Sequence, residues 1–317
     1  MKKKLMALVL TSIMAVSLMT GCGSDGDTYK VGICQLVQHE ALDAATQGFQ
    51  DALTEKLGDK VSFDLQNASG DSATCGTIAN QFVSNGVDLI LANATAPLQA
   101  SAAATTDIPI LGTSITDYAT ALQIDDWTGV TGTNISGTSD CAPLTDQAAM
   151  LQELFPDAKT VGMLYCSAEP NSAYQVNVVR GALEGMGYTC KDYTFADSND
   201  IASVVTSATT ECEVIYIPTD NSAASATEVI NNICLPAGIP IIAGEEGICR
   251  GCGVAALSIS YYDLGYQSGL MAYEILVNGA DISTMEIQYA PNVTKMYNPE
   301  ICSQLGISIP DGYVAIE

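Results

Sequence analysis

The chain has 317 residues, 48% of them hydrophobic, which is enough to bury the cores of two ordinary domains and argues against a disordered polymer. Only 11 Lys and Arg stand against 36 Asp and Glu, and the net charge of −25 would repel phosphate backbones and anionic headgroups, so nucleic acid and peripheral membrane surfaces are poor partners. His39 is the one histidine, which leaves zinc chemistry without a ligand set.

Lys2, Lys3 and Lys4 precede an apolar run from Leu5 to Leu18, followed by Met19-Thr20-Gly21-Cys22. The run has the length of a signal-peptide apolar region and is too short for a comfortable permanent span. The small residues before Cys22 resemble a lipobox, where bacterial lipoproteins are cleaved and lipidated, with Met19 where Leu, Val or Ile is usual. The expectation is a signal peptide over 1–22, lipid on Cys22, and a flexible leash over 23–28, where nothing apolar asks to be buried. No later apolar run reaches transmembrane length, so the lipid would be the chain's sole membrane contact, outside the cytoplasm.

From Lys30 onward, short apolar runs alternate with helical periodicity. Strands are expected near 29–35, 61–66, 87–92 and 108–112, with helices near 40–57, 74–85 and 96–105. The pattern then repeats about 130 positions later: Val31-Gly32-Ile33 corresponds to Val161-Gly162-Met163, and Ile108-Pro109-Ile110 to Ile239-Pro240-Ile241. The second set has strands near 160–165, 188–194, 213–218 and 239–243, and helices near 171–186, 200–209 and 221–235. A strand near 254–259, a helix from Asp263 to Val277, a strand near 285–290 and a short helix complete the chain. Apolar strand, amphipathic helix, apolar strand is the order of a parallel sheet covered on both faces. The expected fold class is therefore α/β, with two Rossmann-like doubly wound lobes. Two such lobes make a clamp, because each presents polar loops at the carboxyl ends of its strands.

Several stretches together carry a resemblance. Gly32-Ile33-Cys34-Gln35-Leu36-Val37-Gln38-His39-Glu40-Ala41-Leu42-Asp43, Asn85-Gly86-Val87-Asp88-Leu89-Ile90, Tyr216-Ile217-Pro218-Thr219-Asp220-Asn221, Gly244-Glu245-Glu246-Gly247 and Tyr261-Tyr262-Asp263-Leu264-Gly265 resemble the ABC-transporter substrate-binding family that includes tryptophan and tyrosine binders. The resemblance implies the type I periplasmic-binding-protein fold with three crossovers between lobes. It also implies a partner permease driven by a separate ATPase, and no cofactor. It divides the chain into a first lobe over 29–140, joined by about 262–280, and a second over 141–261, joined by about 281–317. A monomer is expected.

The candidate ligand contacts follow the strand ends. Gln35 and His39 stand after the first strand and match the family's Gln-x-x-x-His. Asn93 and Thr95 follow the third, with Thr95 or Ala96 expected to cap a helix that has Pro97 in its first turn; free N–H groups there suit a carboxylate. In the family a small residue usually replaces Asn93. Thr116 and Asp117 lie beyond the fourth strand, and Asn134 and Ser136 in the expected crossover. The second lobe offers Ser167, Asn171 and Ser172, then Thr219, Asp220 and Asn221, then Glu245; Asp263 begins the returning helix. Any one of these also suits an ordinary cap or turn.

Charge narrows the ligand. Arg180 and Arg250 are the only arginines, neither an obvious carboxylate clamp, whereas Asp117, Asp220, Glu245 and Asp263 could each receive an ammonium. A zwitterionic amino acid fits that balance, and an aromatic one could pack against Tyr118, Trp127 or Tyr262, though each also suits a core. The cysteines beyond Cys22 fall mostly inside predicted elements and read as buried thiols. Cys249 and Cys252 form the one close pair, which leaves a surface redox or metal-handling lipoprotein as the competing class. No Gly-x-Gly-x-x-Gly, Gly-Lys-Ser/Thr or Gly-x-Ser-x-Gly motif occurs at a strand end, so an enzyme is not expected. The leading function is capture of an aromatic amino acid (tryptophan, tyrosine or phenylalanine), with another small polar or aromatic solute as the alternative.

Overall fold

The computed structural model of the protein describes residues 28–316. The expected signal peptide, Cys22 and residues 23–27 of the leash lie outside the described residues. In chain order the first elements are β1 (Tyr29–Gln35), α1 (Glu40–Leu57), β2 (Val61–Asn67), α2 (Ser72–Asn85), β3 (Leu89–Asn93), α3 (Thr95–Ala104), β4 (Ile110–Ile115), α4 (Tyr118–Leu122) and β5 (Ile135–Ser139). There follow α5 (Leu144–Leu154), β6 (Thr160–Cys166), α6 (Pro170–Gly185), β7 (Thr189–Phe195), α7 (Ile201–Glu211), β8 (Val214–Ile217), α8 (Asn221–Ala224), α9 (Thr227–Ala237), β9 (Ile241–Ala243), α10 (Glu246–Cys252) and β10 (Ala255–Ser258). The chain closes with α11 (Tyr261–Leu276), β11 (Gln288–Tyr289), β12 (Thr294–Tyr297), α12 (Pro299–Leu305) and β13 (Val314–Ala315).

The strands form two sheets, ordered β11-β5-β4-β3-β1-β2 and β13-β12-β10-β9-β8-β6-β7. All pairings are parallel except β10 with β12. Central strands such as β3, β4 and β8 are buried along their whole length, whereas the outer strands β2 and β7 are partly exposed, as expected for sheets covered on both faces. The chain passes between the sheets three times: from β5 to α5, from β10 to α11, and from β11 to β12. These are the two α/β lobes of the type I periplasmic-binding-protein fold.

The returning helix α11 docks on α1 of the first lobe through glycines. A Cβ added to Gly265 would lie 1.9 Å from the Ala45 carbonyl oxygen, and one on Gly48 would lie 2.1 Å from the Tyr262 carbonyl oxygen. Only residues without a side chain let the two backbones come this close.

Two expectations are corrected. Residues 135–139 form β5, inside the first sheet, and the crossover comes after Ser139; Ile135-Ser136-Gly137-Thr138-Ser139 carries one large apolar residue, so its strand signal is weak although it is wholly buried. Residues 282–289 stay with the first sheet instead of joining the second lobe, since β11 pairs with β5. The chain reaches the second sheet only at β12. Among the described residues, no helix is long and apolar enough to cross a membrane.

Candidate ligand-binding seam

The carboxyl ends of both sheets face one another across a seam. Within it lies a cavity of about 10 Å³ lined by His39, Ser114, Asp140, Asn171, Thr219, Asp220, Glu245 and Tyr261, among others. That is room for a group the size of one water molecule. A second pocket of about 200 Å³ shares Asn171 and Asn221 with it. Leu36, Val37, Thr95 and Ala96 of the first lobe line it, as do Ala168, Glu169 and Ser222 of the second.

The lobes are bridged by side chains. His39, at the N-cap position of α1, meets Asn221 Oδ1 through Nε2 at 3.1 Å. Burial holds the His39 pKa below its usual value, which favours the neutral ring. Gln175 of α6 donates to the Thr116 hydroxyl at 3.3 Å, and Arg250 of α10 pairs with Glu40 of α1 at 3.0 Å. At the hinge, the Tyr261 hydroxyl donates to Asp140 Oδ2 at 2.8 Å.

Buried carboxylates dominate the second lobe's wall, and helix starts explain how they are tolerated. Asp220 caps α8, accepting from the Ala223 N–H at 2.8 Å and the Cys166 N–H at 2.7 Å. Glu245 caps α10 in the same way, accepting from the Gly247 and Ile248 N–H groups. Burial raises both, Asp220 from the usual 3.8 to about 7 and Glu245 from 4.5 to about 7, with the nearby Glu169 charge adding to the rise at Asp220. Glu169 reaches α8 from another loop. Its oxygens accept from the Asn221 N–H at 3.0 Å, Asn221 Nδ2 at 2.7 Å, the Ser222 N–H at 2.9 Å and the Ser222 hydroxyl at 2.7 Å.

Of the residues expected at the site, His39, Thr95, Asn171, Thr219, Asp220, Asn221 and Glu245 line the seam's cavities. Four others are buried around it. Gln35 ties its own loop to α1 through Asp43 and Thr46; Asn93 donates to the Leu42 carbonyl and Thr46; Thr116 receives Gln175; Ser172 accepts from Asn171. Five stand elsewhere. Asp117 caps α4, and Asn134 lies at the amino end of β5, donating to the Thr105 and Ile108 carbonyls. Ser136 donates to the Met285 carbonyl inside the first lobe, and the exposed Ser167 to the Phe195 carbonyl. Asp263 lines neither of the two cavities but an adjoining pocket, with Glu40 and Tyr262, that shares Glu245 and Tyr261 with the smaller one. The α3 expectation is also corrected: Ala94 holds the N-cap position, with φ 104°, and no side chain caps the helix.

None of Tyr118, Trp127 and Tyr262 lines the seam's two cavities; Tyr118 and Trp127 belong to the first lobe's core, and Tyr262 is exposed. The aromatic residue at the small cavity is Tyr261. Sequence reasoning also passed over Ser114, Asp140 and Glu169. Asp140 could have been found as the acidic residue ending a strand of small residues, had β5 been recognised.

The family model for ABC transporter substrate binding proteins matches residues 30–315. A tyrosine-binding protein of Clostridioides difficile (strain R20291) is 35% identical over 291 residues, covering 86% of this chain and 84% of that protein. Among solved structures, an ABC domain from Streptococcus pneumonia in complex with L-Trp is 32% identical, with a TM-score of 0.86 over 92% of this chain and 100% of that one. A ligand-free, open substrate-binding protein with adhesive properties from Clostridium difficile is 35% identical, with a TM-score of 0.68 over 91% of this chain and 99% of that one.

Proposed function

Since the chain belongs to the family of ABC transporter substrate-binding proteins, which are not enzymes, we propose that it captures an aromatic amino acid, tyrosine or tryptophan foremost, at the seam between its lobes and presents it to a membrane permease. The observation that carries this reading is the convergence of His39, Asn171, Asp220, Asn221 and Glu245, from both lobes, on one enclosed polar cavity with a larger pocket beside it. The small cavity suits a charged head group, and the adjoining pocket, walled in part by Leu36, Val37, Ala96 and Ala168, suits a side chain. The uncapped start of α3 gives a carboxylate a place among free N–H groups.

The lobe arrangement supports a clamp. This chain matches the tryptophan-complexed structure better than the open, ligand-free one, 0.86 against 0.68, although the latter is the more similar in sequence. Sequence likeness does not account for that order, whereas a closed seam does. A lipid on Cys22 would hold the clamp outside the cytoplasm as a monomer.

The competing redox or metal-handling reading is disfavoured by Cys249 and Cys252 themselves. Both are unpaired and buried within α10, and burial drives both thiols well above their usual pKa, away from the reactive thiolate. Thermal shift against the twenty amino acids, zinc and a dithiol separates the readings. Stabilisation by tyrosine, tryptophan or phenylalanine is expected. Indifference to all amino acids with a response to zinc or dithiol would remove the proposal.

A further inference from the structure

Four buried carboxylates stand in the seam's walls, and three are engaged through both oxygens: Asp220 by the Ala223 and Cys166 N–H groups, Glu245 by those of Gly247 and Ile248, and Glu169 by Asn221 and Ser222. Asp140 is different. Its Oδ2 accepts from the Tyr261 hydroxyl, but its Oδ1 makes no hydrogen bond, although the residue is only 4% exposed. Burial raises the Asp140 pKa, while the Tyr261 and Thr116 hydroxyls pull it back down.

Ser114 shares the same cavity and the same condition. It is 7% exposed, its hydroxyl has no partner, and its backbone sits at φ +57°, a left-handed conformation that serine rarely adopts. Buried polar atoms are nearly always hydrogen-bonded, so two orphans lining one cavity of about 10 Å³ mark where a donor belongs. The donor must be small. It must also complement a carboxylate, because the histidine lining the cavity is held toward its neutral form.

We infer that Asp140 Oδ1 and Ser114 Oγ form the subsite that takes the ligand's α-ammonium group. An ammonium is about the size of a water molecule and offers three N–H donors, enough for the carboxylate and the hydroxyl together. The β3–β4 register pairs Asn93 with Thr113, which sets Ser114 beside Ala94 and Thr95 at the uncapped start of α3. The two charges of one α-amino acid thus have neighbouring places, ammonium at the carboxyl ends of β4 and β5, carboxylate at the start of α3. Tyr261 is a positioning residue, holding Asp140 through its other oxygen. This assignment rests on the reading that the seam binds an amino acid, and it moves the ammonium away from Asp117, Asp220, Glu245 and Asp263.

The test compares L-tyrosine and L-tryptophan with their deaminated counterparts, 3-(4-hydroxyphenyl)propionate and indole-3-propionate, by titration calorimetry on wild type, Asp140→Asn and Ser114→Gly. Wild type is expected to prefer the amino acids at least 100-fold, and Asp140→Asn to shrink that preference at least tenfold while binding the deaminated acids as before. Ser114→Gly removes the hydroxyl, suits the left-handed backbone and so keeps the fold; it is expected to lose about three- to tenfold for the amino acids only. Wild type binding both classes equally, or Ser114→Gly and a folded Asp140→Asn both keeping the full preference, would overturn the assignment while leaving the aromatic ligand in place. Wild type binding no aromatic amino acid would instead overturn the ligand reading and this inference with it.

Discussion

His39 and Asn221, separated by 182 positions in the chain and belonging to different lobes, meet at 3.1 Å across the seam. Each stands at a helix start, and Asn221 is itself fixed by Glu169, so a rigid polar group of the second lobe receives the first lobe's only histidine.

His39→Ala removes this bridge and leaves Asn221 Oδ1 without its partner. A net hydrogen bond of about 1 kcal/mol corresponds to roughly a fivefold change in an equilibrium. Small-angle scattering of ligand-free protein is expected to show a larger radius of gyration for the variant, and amino-acid affinity to fall about three- to tenfold. The Arg250–Glu40 pair at the same edge is more exposed and should yield first to salt.

Glu169 is expected to be structural. Replacing it with Ala leaves the backbone N–H groups of the buried Asn221 and the half-buried Ser222 without an acceptor, at a cost of about 1–3 kcal/mol. Urea unfolding should show that loss, and hydrogen exchange should show it localised at α8. Glu169→Gln retains one acceptor oxygen and should recover part of it.

Stability should rise as pH falls from about 8 towards 5. Asp220 and Glu245 have folded values near 7 against 3.8 and 4.5 unfolded, so the folded state binds protons more tightly in this window and is penalised once they ionise. Below about pH 4 the trend reverses, because Asp71, Glu153, Glu211, Glu213 and Asp281 are depressed and their contribution is lost on protonation. Melting temperature measured across pH 2–8 checks this. Burial holds His39 low and opposes the rise below about pH 6.5, so a flat profile between 6.5 and 8 would show that the two carboxylates are not buried as described.

Gly265→Ala should prevent α11 from seating on α1, since the new Cβ would meet the Ala45 carbonyl. Overpacking typically costs about 1–3 kcal/mol, and contact with rigid backbone places this variant at the upper end. A drop in melting temperature with loss of protection in α11 is the expected result.

The lobes were legible in the sequence because fully buried parallel strands leave apolar runs, and the repeat of Val31-Gly32-Ile33 at Val161-Gly162-Met163 exposed the duplication. β5 was not legible: its burial rests on Ser136, Gly137 and Thr138, whose polar atoms are satisfied internally, so no hydrophobic pattern marks it. That miss concealed Asp140 at its end. Site residues at strand ends were readable as polar residues after apolar runs, as Asp220 and Glu245 show. Whether such a residue caps its own helix, as Asp117 does, or turns toward the other lobe, as Asn221 does, depends on how the lobes meet, which short-range pattern does not encode.

The most direct measurement is a crystal structure of the protein grown with L-tryptophan or L-tyrosine. The expected result is density for the amino acid between the lobes, its ammonium on Asp140 and Ser114 and its side chain in the pocket bordered by Leu36 and Asn171. An amino acid held on one lobe's outer face, or a seam that stays shut without it while titration reports binding, would contradict capture between the lobes.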